Sequence, residues 1–192
     1  MSGAAAVLPG PGAAPLPRSI EALTAQWGPR WRLLVTFTAM LGTVSTILAS
    51  TIVNVALPDI MGAFGIGQDR AQLVSTGFLA ATTTTMLLNA WAIEAFGFRA
   101  TYIAAMAVFV LGSALGGLAP TENLLVIARI LQGGSAGLLQ PLGMQLVFRV
   151  FPAERRGSAM GLFAVGVVMA PALGPTLGGL VTDSLGWRAL FV

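Results

Sequence analysis

The chain has no cysteine and no histidine, and only 9% of its 192 residues are charged. The first absence excludes disulfides and thiolate metal sites; the second removes the usual proton shuttle and metal ligand at neutral pH. Any proton chemistry therefore falls to the seven Asp and Glu residues. Lysine is missing too, so all ten basic residues are arginine. The scarcity of charge decides the class. A soluble domain carries roughly 25% charged residues, whereas here 56% of residues are hydrophobic and the mean hydropathy is +0.85. That composition is an integral membrane protein's. A net charge of +3 and a pI near 11.1 superficially suit nucleic acid, but membrane topology explains the scattered arginines better, and no nucleic-acid partner is implied.

What the chain has in quantity is long apolar runs. A bilayer crossing needs about 20 of them in succession, and five segments qualify: residues 33–57, 71–93, 100–119, 124–148 and 158–181. Short punctuation separates them: Pro58-Asp59, Gln68-Asp69-Arg70, Phe96-Gly97-Phe98-Arg99, Pro120-Thr121-Glu122 and Pro152 to Gly157. A soluble helical core is excluded, because consecutive runs of this apolarity leave almost nothing polar to face water. The expected fold is all-α, a polytopic transmembrane bundle of about five spans over residues 31–192, preceded by a tail over residues 1–30.

Orientation follows from arginine. With a cytoplasmic N-terminus, Arg18, Arg30, Arg32, Arg99, Arg149, Arg155 and Arg156 lie inside, Arg70 and Arg188 lie outside, and Arg129 lies in the membrane. The positive-inside bias selects that arrangement. The first seventeen residues are Ala-, Gly- and Pro-rich and uncharged. Without the basic start and unbroken apolar core of a signal peptide, they read as a disordered cytoplasmic tail. Residues 19–26 suit either a short interfacial helix or a linker.

Polar residues within the spans form stripes. Thr36, Thr43, Thr46, Ser50 and Asn54 recur at helical spacing and share one face of the first span. Ser50 and Asn54, with Gln132 and Gln140 of the fourth span, are candidates to line a cavity; Ser and Thr that bond back to their own helix are the alternative. In the fourth span Arg129, Gln132, Ala136, Gln140 and Gly143 fall within an arc of about 80°, beside a face of Gly133, Gly137 and Pro141. A charge at the centre of a membrane helix costs roughly 2.5–3.5 kcal/mol on insertion scales, so an intramembrane arginine points to function. Snorkelling is the competing reading, since Arg129 lies only about 9 Å inside the outer end of its span at 1.5 Å per residue. It does not account for Gln132 and Gln140 on the same face. In the fifth span Gly166, Ala170, Gly174 and Gly178 recur every fourth residue, interrupted by Pro171 and Pro175. That pattern suits a closely packed, bent helix that moves or seals a pathway.

These strings resemble a known family. Gly174-Pro175-x-x-Gly178-Gly179 is similar to the antiporter signature of the major facilitator superfamily, and Arg129-Ile-Leu-Gln132-Gly133 to its R-x-x-Q-G motif. Residues 50–60, from Ser50 through Asn54, Pro58 and Asp59 to Ile60, resemble the signature of the 14-helix multidrug:proton antiporters of the EmrB/QacA type. The strings at Pro152 to Gly157 and at Gly186-Trp187-Arg188 fit the same pattern. The resemblance implies export of small amphipathic compounds from the cytoplasm across the inner membrane, driven by protons moving inward. Arg129 is implied in proton coupling, and Gly174, Pro175, Gly178 and Gly179 in favouring exchange. No covalent chemistry, enzyme activity or cofactor is implied.

The chain departs from the family at two places. In the loop after the second span Glu94 keeps an acid and Arg99 one base of a usual glycine-, acid- and arginine-rich string, but its leading glycine, middle arginine and one of the trailing arginine pair are missing. Ala49 stands where many relatives carry an acid, leaving Glu94, Asp59 or acids outside the chain to carry the proton. A carrier of this family has twelve or fourteen helices, so the chain is expected to be an N-terminal portion, a truncated product or partial sequence, whose partner is the missing C-terminal half. A narrow-substrate exporter or permease of the same superfamily, and a non-transporting remnant that interacts with full-length carriers, are the alternative functions. The resemblance also brings in a periplasmic adaptor as a partner, though no residue here marks that contact.

Overall fold

The computed structural model describes Trp27 and residues 30–191, and in it the bundle is turned inside out relative to a soluble protein. Thr46, Arg129 and Gln132 are buried, while Leu87, Leu118 and Val168 are among the most exposed side chains. Only a hydrocarbon solvent makes that arrangement stable, because helices satisfy their backbone internally and the apolar side chains then face lipid. Among the described residues there are six α-helices, α1 (Arg30–Phe64), α2 (Gln68–Leu87), α3 (Asn89–Phe96), α4 (Phe98–Gly117), α5 (Glu122–Val150) and α6 (Ala153–Leu185), and a 3-10 turn, Trp187–Phe191. The tail and the candidate interfacial helix lie outside the described residues, apart from Trp27 and position 30.

Three helices, α1, α4 and α6, are long and apolar enough to cross a bilayer by composition. The other two expected spans differ for physical reasons. Residues 71–93 were expected to form one helix, but the chain turns at Leu88, whose N–H bonds the Thr85 carbonyl three residues back. The cause lies one turn earlier. Thr82, Thr83, Thr84 and Thr85 each donate a hydroxyl to the carbonyl four residues before, which bends a helix and weakens its continuation. Asn89 then pins the bend to α5, donating to the Leu138 carbonyl at 3.2 Å and accepting from Gln145 at 3.3 Å. In α5 the polar residues that lower its hydropathy include Arg129, Gln132 and Ser135, which are buried against neighbours. Two expected loops are also helical. α1 runs through Pro58-Asp59 to Phe64, because proline removes one backbone bond, which water can replace near a membrane surface. The Pro152 to Gly157 string is mostly the first turns of α6, with Pro152 as N-cap and Glu154 in the first turn.

α5 is the hub. It packs on α1, α2 and α4, while α6 packs chiefly on α1. One end of the bundle is closed by an apolar cluster of Val53, Ala56, Ile60, Val74, Leu125, Trp187 and Phe191. Arg188 lies over the Trp187 ring at 4.2 Å and donates to the Ala119 carbonyl, and Arg70 pairs with Glu122 at the start of α5. At the opposite end Arg149 lies 4.8 Å over the Phe98 ring.

Candidate functional site

Arg129 is 1% exposed and does not snorkel. Its Nε donates to the Val74 carbonyl of α2 at 3.4 Å, its Nη1 donates to Gln132 Oε1 at 3.0 Å, and its guanidinium lies 4.2 Å over the Phe78 ring. Gln132 passes the connection on, its Nε2 donating to Ser113 Oγ of α4 at 2.8 Å. The Ser135 hydroxyl closes the network on the Gln132 carbonyl. A cation between three helices is thus held by a carbonyl, an amide and an aromatic face. The ion pair among the described residues, Arg70 with Glu122, is elsewhere, and Arg129 Nη2 meets no acceptor among them.

Two glycines make the site possible, one on each side of Arg129. A Cβ on Gly133 would overlap the Phe78 carbonyl, so only glycine lets α2 come close enough to present Val74 and Phe78. On the other side, a Cβ on Gly112 would stand 2.8 Å from Gln132 Cγ and 3.0 Å from the Ala128 carbonyl. That glycine brings Ser113 within reach. One turn beyond Gly133, Gly137 repeats the close approach against the Thr82 carbonyl, and Thr82 bonds across to the Gly133 carbonyl at 3.0 Å.

The other candidate residues divide. Gln132 was expected on a cavity wall but is 2% exposed and spends both ends of its amide on Arg129 and Ser113. Gln140 is half-buried and makes no hydrogen bond to the described residues. On α1 the stripe is mixed: Thr36, Thr43 and Thr46 are buried, Ser50 bonds its own Ile47 carbonyl at 2.6 Å, and Asn54 is exposed. Asn54 accepts from Ser75 of α2 at 2.7 Å and lines a cavity of about 440 Å³ with Gln68 and Gln72. Glu94 is exposed on α3, and no hydrogen bond or ion pair links it to Arg129. On α6, Gly174 and Gly178 are buried against Thr51 and Ile52 of α1, Gly179 faces Val55, and the helix continues through Pro171 and Pro175. Sequence reasoning missed Phe78, Ser113 and Asn89. An asparagine alone in the apolar run 86–93 was the legible signal for the last.

A family model described as Major Facilitator Superfamily matches residues 39–192. The chain belongs to the major facilitator superfamily. It is 38% identical over 152 residues to the uncharacterized MFS-type transporter YhcA of Bacillus subtilis, covering 79% of this chain and 29% of that protein. It is 34% identical over 159 residues to the multidrug export protein EmrB of Haemophilus influenzae, covering 83% and 31%. To the multidrug resistance protein Stp of Mycobacterium tuberculosis it is 35% identical over 163 residues, covering 84% and 30%. The chain thus spans less than a third of the length of these relatives. Membership in the major facilitator superfamily makes it a multi-pass membrane protein of a transporter family. In such carriers the substrate site lies between two helical halves near the midplane, and the network around Arg129 belongs to one half.

Proposed function

We propose that the chain is the N-terminal portion of a proton-coupled exporter of small amphipathic compounds in the inner membrane. The burial of Arg129 supports this reading most. A membrane protein that keeps a desolvated cation out of any ion pair with the carboxylates of its described residues has a use for that charge. The names of EmrB, a multidrug export protein, and Stp, a multidrug resistance protein, point the same way. In this reading Arg129 is the coupling residue, and Gln132 orients it. Ser50, Asn54 and Gln140 face the substrate path, and Glu94 is the acid that exchanges protons near the inner surface. The helix carrying Gly174, Pro175, Gly178 and Gly179 slides or seals against α1 during exchange. The facing wall comes from the C-terminal half, which relatives possess in the greater part of their length.

The test is reconstitution in liposomes with an imposed pH gradient and a fluorescent lipophilic cation as cargo. The complete carrier is expected to move dye in a gradient-dependent way that an uncoupler abolishes, and residues 1–192 alone are expected to move none. Dye movement by the complete carrier that ignores the uncoupler would remove proton coupling from the reading. Gradient-driven movement by the 192-residue chain alone would show that residues 1–192 suffice.

The N-terminus is cytoplasmic in this reading. Supporting it, Arg70, Glu122 and Arg188 gather at one end of the bundle and Arg149 with Phe98 at the other, as the arginine bias requires. Because the chain has no cysteine, single introduced thiols report directly. An impermeant thiol reagent added to intact cells is expected to label Arg70→Cys and to leave Arg156→Cys untouched. The reverse pattern would invert the topology.

A further inference from the structure

The helix α5 runs unbroken through Pro141, although proline removes the backbone bond to the Gly137 carbonyl and crowds the turn before it. Gly143 follows two residues later, and glycine is the next poorest helix former. The stretch around Pro141 is thus a weak point of the helix. Its close neighbours change there too. Before Pro141, Gly133 and Gly137 seat α5 on α2. After it, Gly143 lies against Thr43 of α1, and Val147 packs with Ala159 and Phe163 of α6. One helix joins two packing neighbourhoods through a turn that lacks a backbone bond.

Asn89 bridges that turn. Its side chain is buried, and it bonds α5 on both sides of the proline. Nδ2 donates to the Leu138 carbonyl at 3.2 Å, before Pro141, and Oδ1 accepts from Gln145 Nε2 at 3.3 Å, beyond it. Such a bridge needs a donor and an acceptor at one side-chain tip, which asparagine has and ionised aspartate lacks. Its base is firm. Asn89 begins α3, and near the far end of α3 the Thr101 hydroxyl of α4 donates to the Ala92 and Gly97 carbonyls at 3.0 and 2.9 Å. The two bonds of the bridge itself lie at the long limit of ordinary N–H···O geometry. They are weak enough to open while the surrounding packing stays in place.

We propose that Pro141 is a hinge in α5 and that Asn89, together with Gln145, is a splint across it that holds the helix straight and can release it. When the splint opens, the part of α5 from Leu142 to Val150 tilts. Arg129, about 18 Å back along the axis at 1.5 Å per residue, keeps its network. The device is independent of the transport reading, because its test needs no gradient, cargo or second half.

The test is hydrogen–deuterium exchange of the purified chain in detergent, read by mass spectrometry at the amides of residues 142–144, whose helical bonds cross the proline. Asn89→Leu, which keeps the branching but loses both bonds, is expected to speed their exchange roughly sevenfold, the factor for two interhelical side-chain bonds of average strength in a membrane protein. Pro141→Ala restores the missing backbone bond. In that background Asn89→Leu is expected to change exchange by less than about twofold, a coupling that a splint across the proline produces and a general contact does not. Should Asn89→Leu fail to fold, Gln145→Leu, which removes the bond beyond the proline, takes its place in the cycle with roughly threefold speeding expected. Equal speeding in both backgrounds, or speeding shared by the amides of residues 128–131 beside Arg129, would make Asn89 an ordinary clamp between α3 and α5 and overturn the splint. Unchanged exchange at residues 142–144 in the Asn89→Leu protein would overturn it as well.

Discussion

Gly133→Ala is expected to lose the folded bundle at ordinary temperatures, while Gly161→Ala is neutral or slightly stabilising. The two substitutions add the same methyl group to a helical glycine, and in a free helix each would gain about 1 kcal/mol. Their surroundings differ. At Gly161 nothing lies within 4 Å of the added Cβ, whereas at Gly133 it would overlap the carbonyl oxygen, carbonyl carbon and Cα of Phe78. All three are backbone atoms, so no rotamer change relieves the clash and α2 must retreat from α5. Overpacking of a well-packed contact costs about 1–3 kcal/mol, and a rigid neighbour puts this case at or beyond the top of that range. The retreat also withdraws the Val74 carbonyl and the Phe78 ring from Arg129, so the site fails with the packing. The measurement is the fraction of monodisperse protein in size-exclusion chromatography after stepwise heating in mild detergent. A Gly133→Ala protein that melts with the Gly161→Ala protein would show that α2 and α5 are not held in close contact.

The sequence made Arg129 legible because its bland explanation, snorkelling, leaves Gln132 and Gln140 on the same face unexplained, and helical spacing placed Gln132, Gly133 and Gly137 beside it. Periodicity could not supply the partners. The Val74 carbonyl is backbone and has no sequence signal, Phe78 looks like any lipid-facing aromatic, and Ser113 is one hydroxyl among many. The same limit explains Gln132: its helix face is visible in the sequence, but whether that face meets a cavity or another helix depends on Gly112, a residue on a different span. Local rules erred where two of them compete. Proline read as a break at Pro58, yet α1 had enough flanking helix to continue. Residues 71–93 read as one apolar span, yet the hydroxyls of four successive threonines turned back on the backbone and bent the helix.

Arg129→Lys in the complete carrier is expected to reduce the initial rate of proton-driven export at least about tenfold, equivalent to about 1.4 kcal/mol, at normal expression. The guanidinium makes two directed bonds, at 3.4 and 3.0 Å, and stacks 4.2 Å over Phe78. An ammonium keeps the charge but loses the planar fork and the stack. Interhelical hydrogen bonds in membranes average only about 0.6 kcal/mol, so the lysine protein should still fold. Arg129→Met separates function from structure more sharply. Replacing buried charge by an apolar side chain of similar volume is often neutral or stabilising, and here no carboxylate partner among the described residues is orphaned, though Gln132 loses a donor. The methionine protein is therefore expected to melt within a few degrees of the parent while transporting nothing. Near-normal export by either variant would end the coupling role. Collapse of both, with the melting temperature lowered as much as by Gly133→Ala, would make Arg129 a clamp between α2 and α5 whose charge does no transport work.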